Sequence, residues 1–136
     1  MKSAVLDSYA VLVFLFQQPG HEKVTALFDK AADSDKPLLI AAPNWAEVRY
    51  MVERKVGPAQ WQETRTKLLG LPIEIVPADQ ELAELAGEIK ANRKMSLADC
   101  FAAALARQRR LDLYTGDSEF RAVESELRVM WLLSQH

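Results

Sequence analysis

Residues 3–17 read SAVLDSYAVLVFLFQ, a short apolar run from Ser3 to Leu6, one acid at Asp7, and then a helix-like segment from Tyr9 to Gln17. A strand that hands over to a helix through a single carboxylate is one half of a βαβ unit, so the pattern asks whether it recurs. Further β-like runs lie at Leu38 to Ala41, Ile73 to Val76, Leu111 to Thr115 and Val129 to Leu133. Helical periodicity fills the stretches His21 to Ala32, Trp45 to Lys55, Ala59 to Leu69, Gln80 to Asn92, Leu97 to Arg109 and Ser118 to Glu126. The breakers Pro19-Gly20, Pro37, Pro43, Gly57-Pro58, Gly70, Pro72, Pro77 and Gly116 fall between these elements. Alternation of this kind predicts an α/β fold with a mostly parallel sheet. The segment from Ser96 to Ala106 is dense in small residues, which predicts a helix packed closely on that sheet.

Four acids, Asp7, Glu47, Asp99 and Asp117, stand where an apolar run gives way to a helix. In an open α/β sheet ligands bind beyond the carboxyl ends of the strands, and all four acids fall at that edge. Carboxylates about 5 Å apart repel by roughly 3 kcal/mol at an effective dielectric near 20, so such a group is hard to keep ionised without a cation. Oxygen-only ligands favour magnesium or manganese. The chemistry open to such a site is phosphoryl hydrolysis, which needs no histidine. Local explanations compete. Asp7 and Asp117 each fit an N-cap, and Asn44-x-x-Glu47 and Ser96-x-x-Asp99 each fit a capping box. Asp79 has the same context, so local pattern alone nominates five residues.

Composition narrows the classes. A chain of 136 residues, 49% apolar and 26% charged, fits one soluble globular domain spanning 1–136. One cysteine, Cys100, excludes an internal disulfide and reads as a small buried residue. The apolar opening has no signal-peptide cleavage pattern, and Tyr9 to Phe16 is too short to span a bilayer, so a cytoplasmic protein is expected. A net charge of -2 does not announce a nucleic-acid binder. The cations are nonetheless clustered: Lys90, Arg93 and Lys94 precede Asp99, and Arg107, Arg109 and Arg110 close the helix that follows, where cations suit a helix C-terminus. His21 and His136 are expected at the surface, and Trp45, Trp61 and Trp131 in core or interface positions rather than stacked on bases.

Read together, Val5-Leu6-Asp7-Ser8-Tyr9-Ala10, Asn44-x-x-Glu47-Val48, Ser96-Leu97-Ala98-Asp99 with its alanine-rich helix, and Thr115-Gly116-Asp117-x-Glu119-Phe120 resemble the PIN-domain family, specifically the VapC-type toxins of prokaryotic toxin–antitoxin pairs. The resemblance implies a three-layer α/β/α domain with strand order 3-2-1-4-5 and an endoribonuclease dependent on magnesium or manganese. It implies Asp7 and Asp99 as principal metal ligands, Asp117 completing the shell, Glu47 binding a second metal or orienting the attacking water, and Ser8, Asn44 and Thr115 positioning those carboxylates. The implied nucleophile is a metal-activated water attacking phosphorus in line, leaving a 5′-phosphate and a 3′-hydroxyl. It further implies a VapB-type antitoxin whose C-terminal segment lies across a groove near the site and whose other end binds promoter DNA. Homodimerisation is common in the family, and the apolar surroundings of Trp61 or Trp131 are candidate surfaces. Two departures stand out: bulky Tyr9 replaces a small polar residue, and Glu119 replaces an aspartate, which argues against Glu119 as a direct ligand. The competing readings are a PIN-like binding module without turnover, an RNA-processing PIN nuclease without an antitoxin, and a phosphorylation-receiver domain. The last lacks the paired acids at the first strand and the lysine at the fifth.

Overall fold

The computed structural model describes residues 2–133. Its elements run β1 (Ala4–Leu6), α1 (Ser8–Leu15), α2 (His21–Ser34), β2 (Leu38–Ala41), α3 (Ala42–Val56), α4 (Pro58–Leu69), β3 (Ile73–Val76), α5 (Gln80–Asn92), α6 (Leu97–Arg109), β4 (Asp112–Thr115), a 3₁₀ turn (Ser118–Val123) and β5 (Val129–Trp131). The five strands are all parallel in the order β3-β2-β1-β4-β5. Val5 is the hub of the register, opposite Leu39 of β2 on one side and Leu113 of β4 on the other. His136 lies outside the described residues.

Both faces of the sheet are covered, which is why its central strands are apolar without interruption. Side chains alternate across it. Val5, Leu39, Ala41 and Leu113 face a layer built from α5 and α6, with Leu82, Ile89, Phe101 and Leu105 in the contact. Leu6, Leu38 and Ile40 face the opposite layer, where Val24, Phe28, Val48, Trp61 and Leu68 of α2, α3 and α4 meet them. Helix α6 runs deepest: every residue from Asp99 to Ala106 is buried. Its alanines have no bulk to hold the helix off the strands, so the backbone approaches closely and Asp99 arrives at the sheet edge already desolvated.

Two element boundaries depart from the sequence expectation. Helix α3 begins at Ala42 rather than Trp45, with Pro43 in its first turn, where proline needs no donor. Asn44 is therefore inside the helix and not its cap, and the Asn44-x-x-Glu47 capping box does not form. The segment after Asp117 is a 3₁₀ turn ending at Val123, shorter than the helix expected to Glu126. The apolar face around Trp61 is also not a surface: the indole is 1% exposed and meets Trp45 edge-on at 5.4 Å. It serves the core of the α3–α4 layer and offers nothing to a second copy. Trp131 is half-buried. Gly20, at φ +99°, begins α2 against Leu132, where an added Cβ would sit 3.1 Å from that side chain, so this contact ties the helix to the end of the sheet.

Because Trp61 fills its layer so completely, Trp61→Ala is expected to cost about 3–5 kcal/mol of stability, read as a lower denaturation midpoint. A loss below about 1 kcal/mol would mean that the layer closes around the cavity and does not depend on the ring.

Candidate active site

Asp7 is the first residue beyond β1, and both of its oxygens are committed. Oδ1 accepts from the Ala10 N–H at 2.8 Å, capping α1, and Oδ2 accepts from the Thr115 hydroxyl at the end of β4. The same Thr115 oxygen accepts from the Asp117 N–H at 3.0 Å. One buried hydroxyl thus joins the two central strand ends and sets where Asp117 begins. Asp117 caps the 3₁₀ turn, accepting from the Glu119 N–H at 2.9 Å. Ser96 caps α6 by accepting from the Asp99 N–H at 3.2 Å, and its own N–H donates to Glu119 at 3.0 Å. Asp7, Ser96 and Asp117 therefore do act as caps, and these roles coexist with convergence on one edge. The Ser96-x-x-Asp99 capping box is only half formed, because the Ser96 N–H is taken by Glu119 in place of Asp99. Asp79 caps α5 through the Leu82 N–H and stands outside the cluster.

Carboxylate oxygens of Asp99, Asp117 and Glu119 all lie within 4.8 Å of one another. Glu119, which its departure from the family pattern argued against as a ligand, is thus in the tightest group of acids. The signal that was available is its place two residues after Asp117, on a turn that doubles back toward Ser96. Asp7 and Glu47 complete the electrostatic neighbourhood. Glu47, on α3, accepts from the Ser8 hydroxyl at 2.8 Å and from the Tyr50 hydroxyl at 3.2 Å. Asn44 donates to the Ala98 carbonyl at 3.1 Å, fastening α3 to the first turn of α6 beside Asp99, while its Oδ1 is buried without a partner among the described residues. Tyr9 packs its ring over Gly116: a Cβ there would fall 2.2 Å from the Tyr9 ring, so the bulky residue at 9 and the glycine at 116 require each other.

Burial pushes the Asp7 carboxyl up to about 7, with the Thr115 hydroxyl and the Ala10 amide pulling back and the charges of Asp117 and Glu47 pushing further. Asp99 is raised as well, first by burial and then by Asp117 and Asp7. The relief at Asp7 comes from a hydroxyl and an amide rather than a cation. Asp99, Asp117 and Glu119 lie close enough together to hold a metal ion, and oxygen-only donors with the buried Asp7 beside them suit a divalent one. Cys100, next to Asp99, is buried, and burial raises its thiol pKa, which leaves it a packing residue.

A carboxyl that titrates near 7 when folded and near 3.9 when unfolded takes up protons on folding between those values. The metal-free fold is therefore most favoured below about pH 4 with respect to this group and loses stability as the pH rises to 7. At about 1.4 kcal/mol per pKa unit the loss from Asp7 reaches about 4 kcal/mol. Melting temperature in EDTA is expected to fall from pH 5 to pH 8, and the fall should be smaller in Asp7→Asn. A melting temperature that rose over this range would show that Asp7 is ionised without cost.

Similarity to other proteins bears on the fold and the family. No curated protein matches the chain. Among solved structures, a DNA-bound VapBC of Salmonella typhimurium superposes with a TM-score of 0.77 at 18% identity, covering 98% of this chain and all of that one. A toxin–antitoxin complex from Klebsiella pneumoniae gives 0.71 at 21% identity, with coverage of 98% and 100%. A sarcin–ricin-loop-cleaving toxin of Mycobacterium tuberculosis gives 0.65 at 17%, covering 89% and 95%. At these identities the likeness establishes the fold, and the family follows from the sequence itself: the PIN domain pattern matches residues 4–126, from β1 to beyond the 3₁₀ turn, and the chain belongs to the PIN domain family.

Proposed function

We propose that this protein is a metal-dependent endoribonuclease that acts in the cytoplasm as the VapC-type toxin of a toxin–antitoxin pair. The observation that carries the proposal is the convergence of Asp7, Asp99, Asp117 and Glu119, with Glu47 beside them, at the carboxyl edge of a PIN-domain sheet. In this reading Asp7, Asp99 and Asp117 hold magnesium or manganese, Glu119 joins them, and Glu47 orients the attacking water. The ion supplies charge neutralisation at the phosphate oxygens and a lowered pKa for a bound water. Thr115 keeps Asp7 and Asp117 in register, Ser8 turns Glu47 inward, and Asn44 holds α3 against α6. Among the described residues no helix is long and apolar enough to cross a membrane.

The antitoxin part of the proposal has its own support. A groove of about 570 Å³ runs between α1 and α3, lined by Tyr9, Leu12, Phe16, Tyr50 and Met51, with Arg54 and Lys55 at its rim. Met51 and Tyr50 are 43% and 41% exposed, an unusual amount of apolar surface for neighbouring helix positions. Tyr50 also bonds to Glu47, so a segment filling the groove ends beside the acids. Solved neighbours include VapBC complexes bound to DNA, and here contact with DNA is assigned to the antitoxin.

Asp7→Asn and Asp99→Asn are each expected to lower metal-dependent cleavage of cellular RNA by more than about a hundredfold while leaving the fold intact. EDTA should stop the wild-type reaction, and added magnesium or manganese should restore it. Full cleavage in either variant or in EDTA would reject the metal mechanism. Met51→Asp should weaken binding of the antitoxin at least tenfold without altering RNA cleavage by the free chain, as measured by calorimetry beside a cleavage assay. Unchanged affinity would move the antitoxin to another face.

A further inference from the structure

The acid edge repels the polyanion it is proposed to cut, so binding energy for RNA has to come from elsewhere on the molecule. The cations nearest α6 are largely engaged. Arg93 pairs with Glu126, Arg107 lies 3.7 Å from Glu126 and 4.0 Å from Glu88, and Lys90 donates to the Met95 carbonyl at 2.7 Å. A different group is open. At the amino-terminal edge of the sheet, Lys2, Lys30, Arg110 and Arg128 surround a concavity of about 440 Å³ whose one acid, Asp112, lies 4.0 Å from Arg128. A second concavity of about 230 Å³ adjoins it, sharing Leu27, Lys30 and Tyr114 and adding Lys23, Met130 and Trp131. Lys23 donates to the Trp131 carbonyl at 3.0 Å, at the carboxyl end of β5. The two hollows therefore form one path along the β4–β5 side, from the amino-terminal edge toward the edge that carries the acids.

Charge along α2 is segregated in a way that serves this path. Lys23, Leu27 and Lys30 share one face at helical spacing, whereas Glu22, Asp29 and Asp33 lie about a quarter turn away. The two lysines are about 10 Å apart along the axis. Tyr114 and Trp131 place aromatic rings among the cations, the combination that holds single strands without reading their sequence. Lys2, Lys30 and Arg110 have no carboxylate partner among the described residues.

We propose that this basic, aromatic-lined path along α2, β4 and β5 binds the backbone of single-stranded RNA and carries it toward the acid edge. The proposal rests on the nuclease reading for its substrate, but its test does not require turnover.

The test is fluorescence anisotropy of a labelled, unstructured 12-nucleotide RNA in EDTA over a range of salt. Lys2→Gln/Lys30→Gln should raise the dissociation constant at least fivefold and flatten the salt slope by about 1.4, near 0.7 for each cation lost. The same charge removed at Arg65 and Lys67, both exposed on α4 and outside the residues lining the path, should change it less than twofold. With metal, cleavage of the 12-mer should fall in step while cleavage of a trinucleotide stays unchanged. Wild-type affinity in the first variant, an equal loss in the control pair, or tighter binding of duplex DNA through the same residues would each overturn the proposal. Binding that follows the prediction without metal-dependent cleavage would reject the nuclease reading and leave the RNA path standing.

Discussion

The hydroxyl of Thr115 is the junction on which the site depends. It donates to Asp7 and accepts from the Asp117 amide, so the first and fourth strands, adjacent in the sheet and more than a hundred residues apart in the chain, are joined at their carboxyl ends. Without that bridge Asp7 would be a buried acid with only the Ala10 amide as partner. With it, the carboxylate is aimed, partly stabilised and still poor in counter-charge. An unpaired buried polar group in low dielectric costs more than a bond contributes, so the hydroxyl is constrained in return.

Topology explains why this junction lies where it does. After β1 the chain moves outward to β2 and β3, then returns through α5 and α6 to β4 on the other side. Connections leave in opposite directions from β1 and β4, which opens a crevice between them at the carboxyl edge. Helices α1 and α6 both start at that edge, and their amino-terminal N–H groups favour anions there. The alanine-rich stretch of α6 has a matching role, because a bulkier helix would keep Asp99 in solvent and away from Asp117.

The arrangement sets folding against function. The burial that raises Asp7 and Asp99 destabilises the metal-free protein at neutral pH, and in the proposed reading a divalent ion would offset it by restoring charge balance. The packing elsewhere has to carry that cost. Two well-filled layers do so, one around Phe101, Leu105 and Phe120, the other around Trp61 and Leu68. The exposed groove between α1 and α3 is the exception, and its continuity with Glu47 through Tyr50 links the proposed partner surface to the acids.

Much of this was legible in the chain. The strand-to-helix hand-over at Asp7, the N-cap at Ser96 and the Thr115-Gly116-Asp117 turn are local, since each is set by hydrogen bonds spanning two or three residues, and the alternation of elements was enough to call for a parallel sheet. What sequence could not decide depends on distance through space. Asn44 looked like a cap because its pattern fits one, but its amide is claimed by Ala98, 54 residues away, and the helix starts earlier. Glu119 looked doubtful as a ligand because it stands where the family pattern has an aspartate, yet the 3₁₀ turn and the Ser96 amide bring it to Asp99. Trp61 stood open between core and interface, and Trp45 and the strand face place it in the core. The pairing of Tyr9 with Gly116, and of Lys30 on α2 with Arg128 beside β5, likewise has no local trace. Short-range hydrogen bonding and side-chain period are properties of the chain alone, whereas which charges meet is set by the packing of elements that are distant in sequence.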